Sequence, residues 1–240
     1  MNKKKVDLQK NKFASSRSSK QKLKKSKRTE SSKRWISRQL NDPYVSEAQK
    51  RGYRSRSAFK LLQINEKFNL FKSGMVIIDL GCAPGGWLQV MTEIINKNKK
   101  GQLIGIDLLD TDILPNVEIL KGDINDENIL SQINKILNGK KVNGVVSDMA
   151  ADTTGHRPTD HLRTTMLLES AIDIAKDFLD EDGFFLGKCF KGGAEASVLE
   201  TLNKSFKVVK HVKPDASRKE SVESYVVAMH YKNKTAKQII

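Results

Sequence analysis

From Met75 onward the chain alternates between two apolar patterns. Short continuous runs stand at MVIIDL (75–80), QLIGIDL (102–108), NVEILKGD (116–123), KVNGVVSDM (141–149) and GFFLGKCF (183–190). Runs of this length predict strands, and MVIIDL, continuous and rich in branched side chains, predicts a buried parallel one. Between them apolar residues recur every three or four positions, which predicts helices over 85–96, 125–137, 159–179 and 194–203. In the third of these, Leu162, Met166, Leu167, Ala171, Ile174, Ala175 and Phe178 are read as one apolar stripe. FKVVKHV (206–212) and SYVVAMHY (224–231) complete the strands. Strands alternating with helices predict an α/β fold around a mostly parallel sheet. No helix separates the last two strands, so one of them is expected to run antiparallel at the edge. Upstream, Ala58, Leu61, Leu62, Ile64 and Phe68 predict a helix over 55–69, and a shorter one is expected over 44–51, after Pro43. No internal repeat is visible.

Charge divides the chain differently. The formal net charge is +15 over 240 residues, yet residues 1–60 hold 20 Lys and Arg against 4 Asp and Glu, and the remainder holds 23 against 24. The excess is therefore confined to the N-terminal quarter, which points to a polyanionic partner, nucleic acid or an acidic membrane surface, with nucleic acid favoured over the plainer reading of a solubilising tail. Residues 1–34 are Lys, Ser, Gln and Asn with few apolar side chains, a composition that does not offset the entropy of ordering. They are expected to form a disordered basic tail, with residues 35–240 as N-terminal helices plus the main domain. The two cysteines, Cys82 and Cys189, form no CxxC pair, so neither a disulfide framework nor a zinc site is implied. There is no apolar leader-like segment near the start and no apolar run of about 18 residues, so a membrane protein is not expected. A cytoplasmic location is.

In open parallel sheets, ligands bind beyond the carboxyl ends of the strands. The first strand runs into DLGCAPGGW (79–87), where Gly81, Gly85 and Gly86 allow a sharp turn and close backbone approach. The second ends at Asp107, 26 residues after Gly81, suited to accept two hydrogen bonds from a ribose diol. The third ends in Asp123, placed for a purine amine, and the fourth in Asp148. A glycine turn with solvated aspartates is the plainer reading, but three such carboxylates in register favour a cofactor site. A pyrophosphate seat for a nicotinamide cofactor needs GxGxxG, whereas this loop is GxxxGG interrupted by Pro84. An adenosine-bearing cofactor without phosphates fits better, and S-adenosyl-L-methionine is the common one. The fifth strand carries Lys188 inside FFLGKCF, a cation that needs a partner or an exit from the core. The four histidines form no ligand cluster, so no metal is implied.

The set DLGCAPGGW, SDMA (147–150), DH (160–161), the strand lysine at 188 and KPDASR (213–218) resembles the FtsJ/RrmJ-type ribosomal RNA 2′-O-methyltransferases. The likeness runs from about Trp35 to Tyr231. Cys82 stands where such proteins usually carry Ala, and the basic tail is longer than in the bacterial family. The resemblance implies a Rossmann-like, S-adenosylmethionine-dependent methyltransferase: seven strands, mostly parallel, helices on both faces, and a late antiparallel hairpin. It implies cofactor contacts at Gly85, Trp87, Asp107, Asp123 and Asp148, and a catalytic tetrad of Lys60, Asp148, Lys188 and Glu223. Glu220 lies near Glu223, and Glu223 is preferred for its spacing from Tyr225.

Methyl transfer to a hydroxyl asks for such groups. The donor carbon and acceptor oxygen must be held in line, and something must take the hydroxyl proton. Lys188 is expected to be the general base or the group that orients the hydroxyl, and Lys60 to steer the ribose-phosphate. Asp148 and Glu223 orient the lysines through charge-assisted hydrogen bonds. KRGYRSRSAFK (50–60) interleaves Lys50, Arg51, Arg54, Arg56 and Lys60 with Tyr53 and Phe59, preceded by Lys33, Arg34, Trp35 and Arg38; Lys210, Lys213, Arg218 and Lys219 stand on the far side. These are the expected RNA contacts. By the resemblance, the substrate is the ribose 2′-OH of a uridine in large-subunit (23S) ribosomal RNA, within the 50S subunit; separately, a monomer is expected. A non-catalytic RNA-binding assembly factor on the same scaffold is the alternative from another class, disfavoured because glycine loop and tetrad are both intact.

Overall fold

The computed structural model describes residues 36–37, 40–98, 100–151, 154–190 and 195–232. The expected tail, residues 1–34, lies outside the described residues, as do Trp35 and Arg38. The chain divides into two units, Met1–Ser46 and Glu47–Ile240. Of the first, Asn41 donates its side-chain amide to the Ser37 carbonyl at 2.8 Å.

The elements in chain order are α1 (Pro43–Arg51), α2 (Ala58–Phe68), β1 (Val76–Leu80), α3 (Gly86–Ile95), β2 (Gln102–Asp107), β3 (Val117–Lys121), α4 (Glu127–Leu137), β4 (Val142–Ser147), α5 (Arg157–Phe178), β5 (Leu179–Phe190), α6 (Glu195–Ser205), β6 (Phe206–Val212) and β7 (Glu223–Tyr231). Seven strands form one sheet in the order β3-β2-β1-β4-β5-β7-β6. The first five run parallel, and β7 is antiparallel to both β5 and β6. The α/β expectation of a seven-stranded, mostly parallel sheet therefore holds.

The antiparallel strand is not at the edge, as expected, but second from it. Both late strands carry the physical reason. In β7 the run Ser224–Ala228 is buried, as an interior strand requires, while β6 exposes Lys207, Lys210 and His211. Exposed lysines on an outer strand discourage pairing with another chain.

The sheet is covered on both faces. On one, Ile78, Leu80, Ile104 and Ile106 pack with Ile129 and Ile133 of α4, Ala171 and Ile172 of α5, and Leu202 of α6. On the other, Ile77 and Leu103 pack with Leu61 and Ile64 of α2 and with Leu88 and Met91 of α3. Successive residues of β1 thus feed opposite cores, as strand geometry demands.

The helix α5 departs from the expected stripe. Ala171, Ile174, Ala175 and Phe178 are buried, but Leu162 and Met166 are 57% and 58% exposed. Thr164 and Leu168 face inward in their place. The first turns of α5 stand at the strand ends, where Met166 and Leu167 line a cleft instead of the core. Several boundaries also move, most of all that of β5, which begins at Leu179 rather than 183. The helix α2 begins at Ala58 rather than 55, and β3 stops at Lys121, so Asp123 sits in the turn that follows.

Candidate active site

The carboxyl ends of β1, β2, β3 and β4 open into a cleft of about 680 Å³. Among the described residues, Gly81, Asp107, Leu109, Asp123, Asp148 and Met166 line it. Asp107 is held by two backbone N–H groups: Ala83 donates to Oδ2 and Leu109 to Oδ1, each at 2.8 Å. The same carboxylate thus fixes the glycine loop and keeps lone pairs for a ligand. Asp123 accepts from the backbone and side-chain nitrogens of Asn125, both at 2.9 Å. Leu108, Leu109 and Met166 are more than half exposed around these acceptors. A concave site with apolar walls and a few fixed polar groups is the usual form of a small-molecule site.

Gly85 and Trp87, the other two expected cofactor contacts, stand at the end of the glycine loop and in the first turn of α3. Trp87 is buried, its indole N–H donating to the Ser57 carbonyl at 2.9 Å and its ring 5.8 Å from that of Tyr225. Gly85 has the Arg54 guanidinium above it. Neither is among the residues lining the cleft.

At one end of the cleft the structure brings Lys60, Asp148, Lys188 and Glu223 together. The strand register puts Lys188 opposite Tyr225 and Phe190 opposite Glu223, while Asp148 follows the last residue of the neighbouring β4. Lys188 Nζ lies 2.8 Å from Asp148 Oδ1, 2.8 Å from the Asp148 carbonyl oxygen and 3.9 Å from Glu223 Oε2. Lys60 Nζ lies 2.6 Å from Glu223 Oε1. The Lys188 side chain is 8% exposed, and those of the other three are 12–15% exposed. Two cations and two anions at such burial offset one another's desolvation only because they are paired and hydrogen-bonded.

Two neighbours not expected from the sequence, Tyr225 and Ser217, complete this corner. The Tyr225 hydroxyl donates to Asp148 Oδ1 at 2.7 Å and stands 3.4 Å from Glu223 Oε1, bridging both carboxylates. The Ser217 hydroxyl donates to Glu223 Oε1 at 2.9 Å. Tyr225 served the sequence argument only as a spacing marker, although its position across from Lys188 follows from pairing the two strands.

The charges have consequences for ionisation. Burial pushes the Asp148 carboxyl up, but the Lys188 and Lys60 ammoniums and hydrogen bonds from Lys188 and Tyr225 hold it below the ordinary carboxylate range. Burial, followed by the Asp148 and Glu223 anions, pushes the Tyr225 phenol well up, so it stays a donor. Asp79, one strand inward, is 1% exposed, and neither carboxyl oxygen has a hydrogen-bond partner among the described residues. Burial first, then the Asp148 and Asp107 anions, raises it well above the usual range. Burial likewise pushes the Cys82 thiol up to about 12, which makes it a packing residue rather than a nucleophile.

Several of the expected RNA contacts are engaged within the fold. Arg54 donates to backbone carbonyls, Arg56 to the Ala216 carbonyl, and Lys213 to the carbonyls of Lys219 and Ser221. Arg51 pairs with Glu47 at 2.7 Å. Lys50, Lys210 and Lys219 are exposed.

A family model described as FtsJ-like methyltransferase matches residues 53–231. The chain belongs to this family. It is 50% identical over 206 residues to "Ribosomal RNA large subunit methyltransferase E" of Bartonella bacilliformis, covering 85% of this chain and 86% of that protein. It is 50% identical over 204 residues to the protein of the same name from Brucella ovis, covering 85% of each. A crystal structure of a Plasmodium falciparum protein named as a ribosomal RNA methyltransferase matches with a TM-score of 0.69 and 31% identity, over 75% of this chain and 98% of that one. The fold and the methyltransferase class read from the sequence are thus those of the family.

Proposed function

We propose that this family member transfers a methyl group from S-adenosyl-L-methionine to the ribose 2′-OH of a uridine in large-subunit (23S) ribosomal RNA, with the 50S subunit as substrate. The observation that carries the reading is that Asp148 belongs both to the cleft and to the charged corner. A ligand in the first is thereby adjacent to the cations of the second. The names of the half-identical relatives support the RNA class.

The cleft suits the cofactor. Fixed acceptors at Asp107 and Asp123 match a ribose diol and a purine amine, and the exposed leucines offer a wall for the base. When bound, S-adenosylmethionine supplies the electrophilic methyl group. The remaining work falls to the chain. Lys188 orients the ribose hydroxyl, and only after it has given up its own ammonium proton to solvent can its free amine take the hydroxyl proton as the new carbon–oxygen bond forms. Asp148, fixed by the Tyr225 hydroxyl, aims the Lys188 amine through two contacts of 2.8 Å. Glu223 holds Lys60, placed to steer the ribose-phosphate. Glu223 is itself oriented by Ser217 and Tyr225. The four charged groups come from one chain, so we infer a monomer, and a ribosomal RNA substrate implies action in the cytoplasm.

The test uses large ribosomal subunits from a strain lacking the gene, incubated with the protein and labelled S-adenosylmethionine. One uridine is expected to gain a 2′-O-methyl group. No transfer to RNA would favour the assembly-factor reading. Calorimetry with S-adenosylmethionine against NADH separates this cofactor from a nicotinamide.

A further inference from the structure

Arg54 lies in the basic stretch 50–60, and composition alone places it among RNA contacts. Its guanidinium points elsewhere. Nη1 donates to the carbonyls of Pro84 at 3.3 Å and Asp112 at 2.8 Å, and Nη2 to that of Ile113 at 3.2 Å. Pro84 belongs to the glycine loop after β1, and Asp112 and Ile113 to the loop after β2. Each loop supplies lining of the cleft, Ala83 from the first and Leu108 and Leu109 from the second. One planar fork therefore ties together two walls of the cleft.

The glycine loop is shaped to receive it. Gly85 has φ +105°, and a Cβ there would lie 2.5 Å from Arg54 Nη1. At Gly86 a Cβ would lie 2.3 Å from Ser55 Oγ. Two glycines of GxxxGG thus make room for residues 54–55 as well as for a turn. The backbone is pinned on the same side: Arg54 N–H donates to Gln89 Oε1 at 2.8 Å, and Gln89 Nε2 to the Gly52 carbonyl at 2.9 Å. The loop after β2 has weaker ties elsewhere. The Asp110–Lys121 pair is 88% and 58% exposed, and Thr111 Oγ1 stands 3.7 Å from Cys82 Sγ.

We infer that Arg54 is a positioning residue for the cofactor cleft, not an RNA contact, and that it sets the distance between the glycine loop and the loop after β2. The inference rests on the reading of that cleft as the S-adenosylmethionine site. Lysine does not replace it, because three carbonyls from two loops need the five-donor planar fork.

The experiment compares wild type, Arg54→Lys and Arg54→Ala, using S-adenosylmethionine and ribosomal subunits. Both variants are expected to raise the KM for S-adenosylmethionine roughly tenfold, the worth of one charged hydrogen bond. At saturating cofactor, kcat and the KM for subunits stay within about twofold of wild type. Amide exchange at residues 109–113 quickens in Arg54→Lys at unchanged melting temperature, a readout that needs no cofactor and remains if Arg54→Ala fails to fold. A raised KM for subunits with unchanged cofactor KM overturns the inference, as does full rescue by lysine or unchanged exchange at 109–113. Failure of wild type to bind S-adenosylmethionine in the same calorimetry overturns the cleft assignment instead, and is told apart by that control.

Discussion

The corner at β4, β5 and β7 and the cleft over β1, β2 and β3 share Asp148 but are built on different terms. In the corner, two lysines and two carboxylates pair within 2.6–2.8 Å at side-chain exposures of 15% or less. In the cleft, Asp107 and Asp123 accept from N–H groups of Ala83, Leu109 and Asn125, and Leu108 and Leu109 are left 65% and 68% exposed. The first region is satisfied before any ligand arrives; the second keeps acceptors and apolar surface in reserve. Chemistry is served by fixed charges that need not reorganise, whereas binding is served by surface that remains to be covered. Substitutions that act on one region and spare the other measure this division.

The largest effect is expected from Lys188. Lys188→Ala removes the amine that faces Asp148, and kcat should fall by about a thousandfold, within the range for a lost acid–base group. Binding of S-adenosylmethionine, read by calorimetry, should change little. Lys188→Arg keeps the charge but replaces a compact ammonium that meets two Asp148 oxygens by a wider planar fork, so it should be nearly as inactive. Wild-type activity in either variant breaks the division between corner and cleft.

Asp148→Asn should damage both regions at once, lowering kcat and raising the KM for S-adenosylmethionine. It also leaves Lys188 short of its carboxylate, at a cost of about 3 kcal/mol near pH 7 in chemical denaturation. The pH dependence has a defined sign. The folded carboxyl sits below its unfolded value, so its contribution is present above about pH 4 and is lost as pH falls further. The variant's deficit should therefore shrink on acidification. A deficit that is constant with pH would mean that the charge of Asp148 is not what holds the corner.

How far these regions could be read from the chain follows from the range of the contacts that make them. The strands were legible because VIIDL, QLIGID and VNGVVS are short, mostly apolar stretches, a local signal. Asp107, Asp123 and Asp148 were legible as the carboxylates that follow such runs. Glu223 was chosen over Glu220 by its spacing from Tyr225, and the geometry brings Glu223 to Lys60. The place of β7 between β5 and β6 was not legible, because strand order depends on pairings distant in sequence. The true inner stripe of α5 was obscured because Leu162 and Met166 add apolar residues on its outer side, where the helix borders the cleft. The work of Arg54 left no trace, since its acceptors are main-chain carbonyls that any residue supplies.

On the cleft side, Asp107→Ala removes the acceptor of the Ala83 and Leu109 N–H groups and the expected partner of the ribose diol. The Kd for S-adenosylmethionine should rise about tenfold to a hundredfold by calorimetry, the worth of one to two charged hydrogen bonds. The kcat at saturating cofactor should fall far less than in Lys188→Ala. Equal losses of kcat in the two variants would erase the distinction between binding and chemistry.

The smallest effect sharpens the comparison through a pair of equal length. Glu200 and Lys204, one turn apart on α6, approach to 2.6 Å, as Glu223 and Lys60 do. The surface pair is 65% and 66% exposed, against 15% and 12% for the inner one. In water the carboxylate and ammonium lose little when separated, and holding two long side chains together costs entropy. In the corner, removing Glu223 leaves Lys60 with a desolvated charge and takes the acceptor from Ser217. Glu200→Ala should therefore shift the melting temperature by no more than about 1 °C and leave methyl transfer unchanged, while Glu223→Ala lowers both. Equal losses in the two variants would make contact distance, rather than burial, the quantity that decides what an ion pair contributes here.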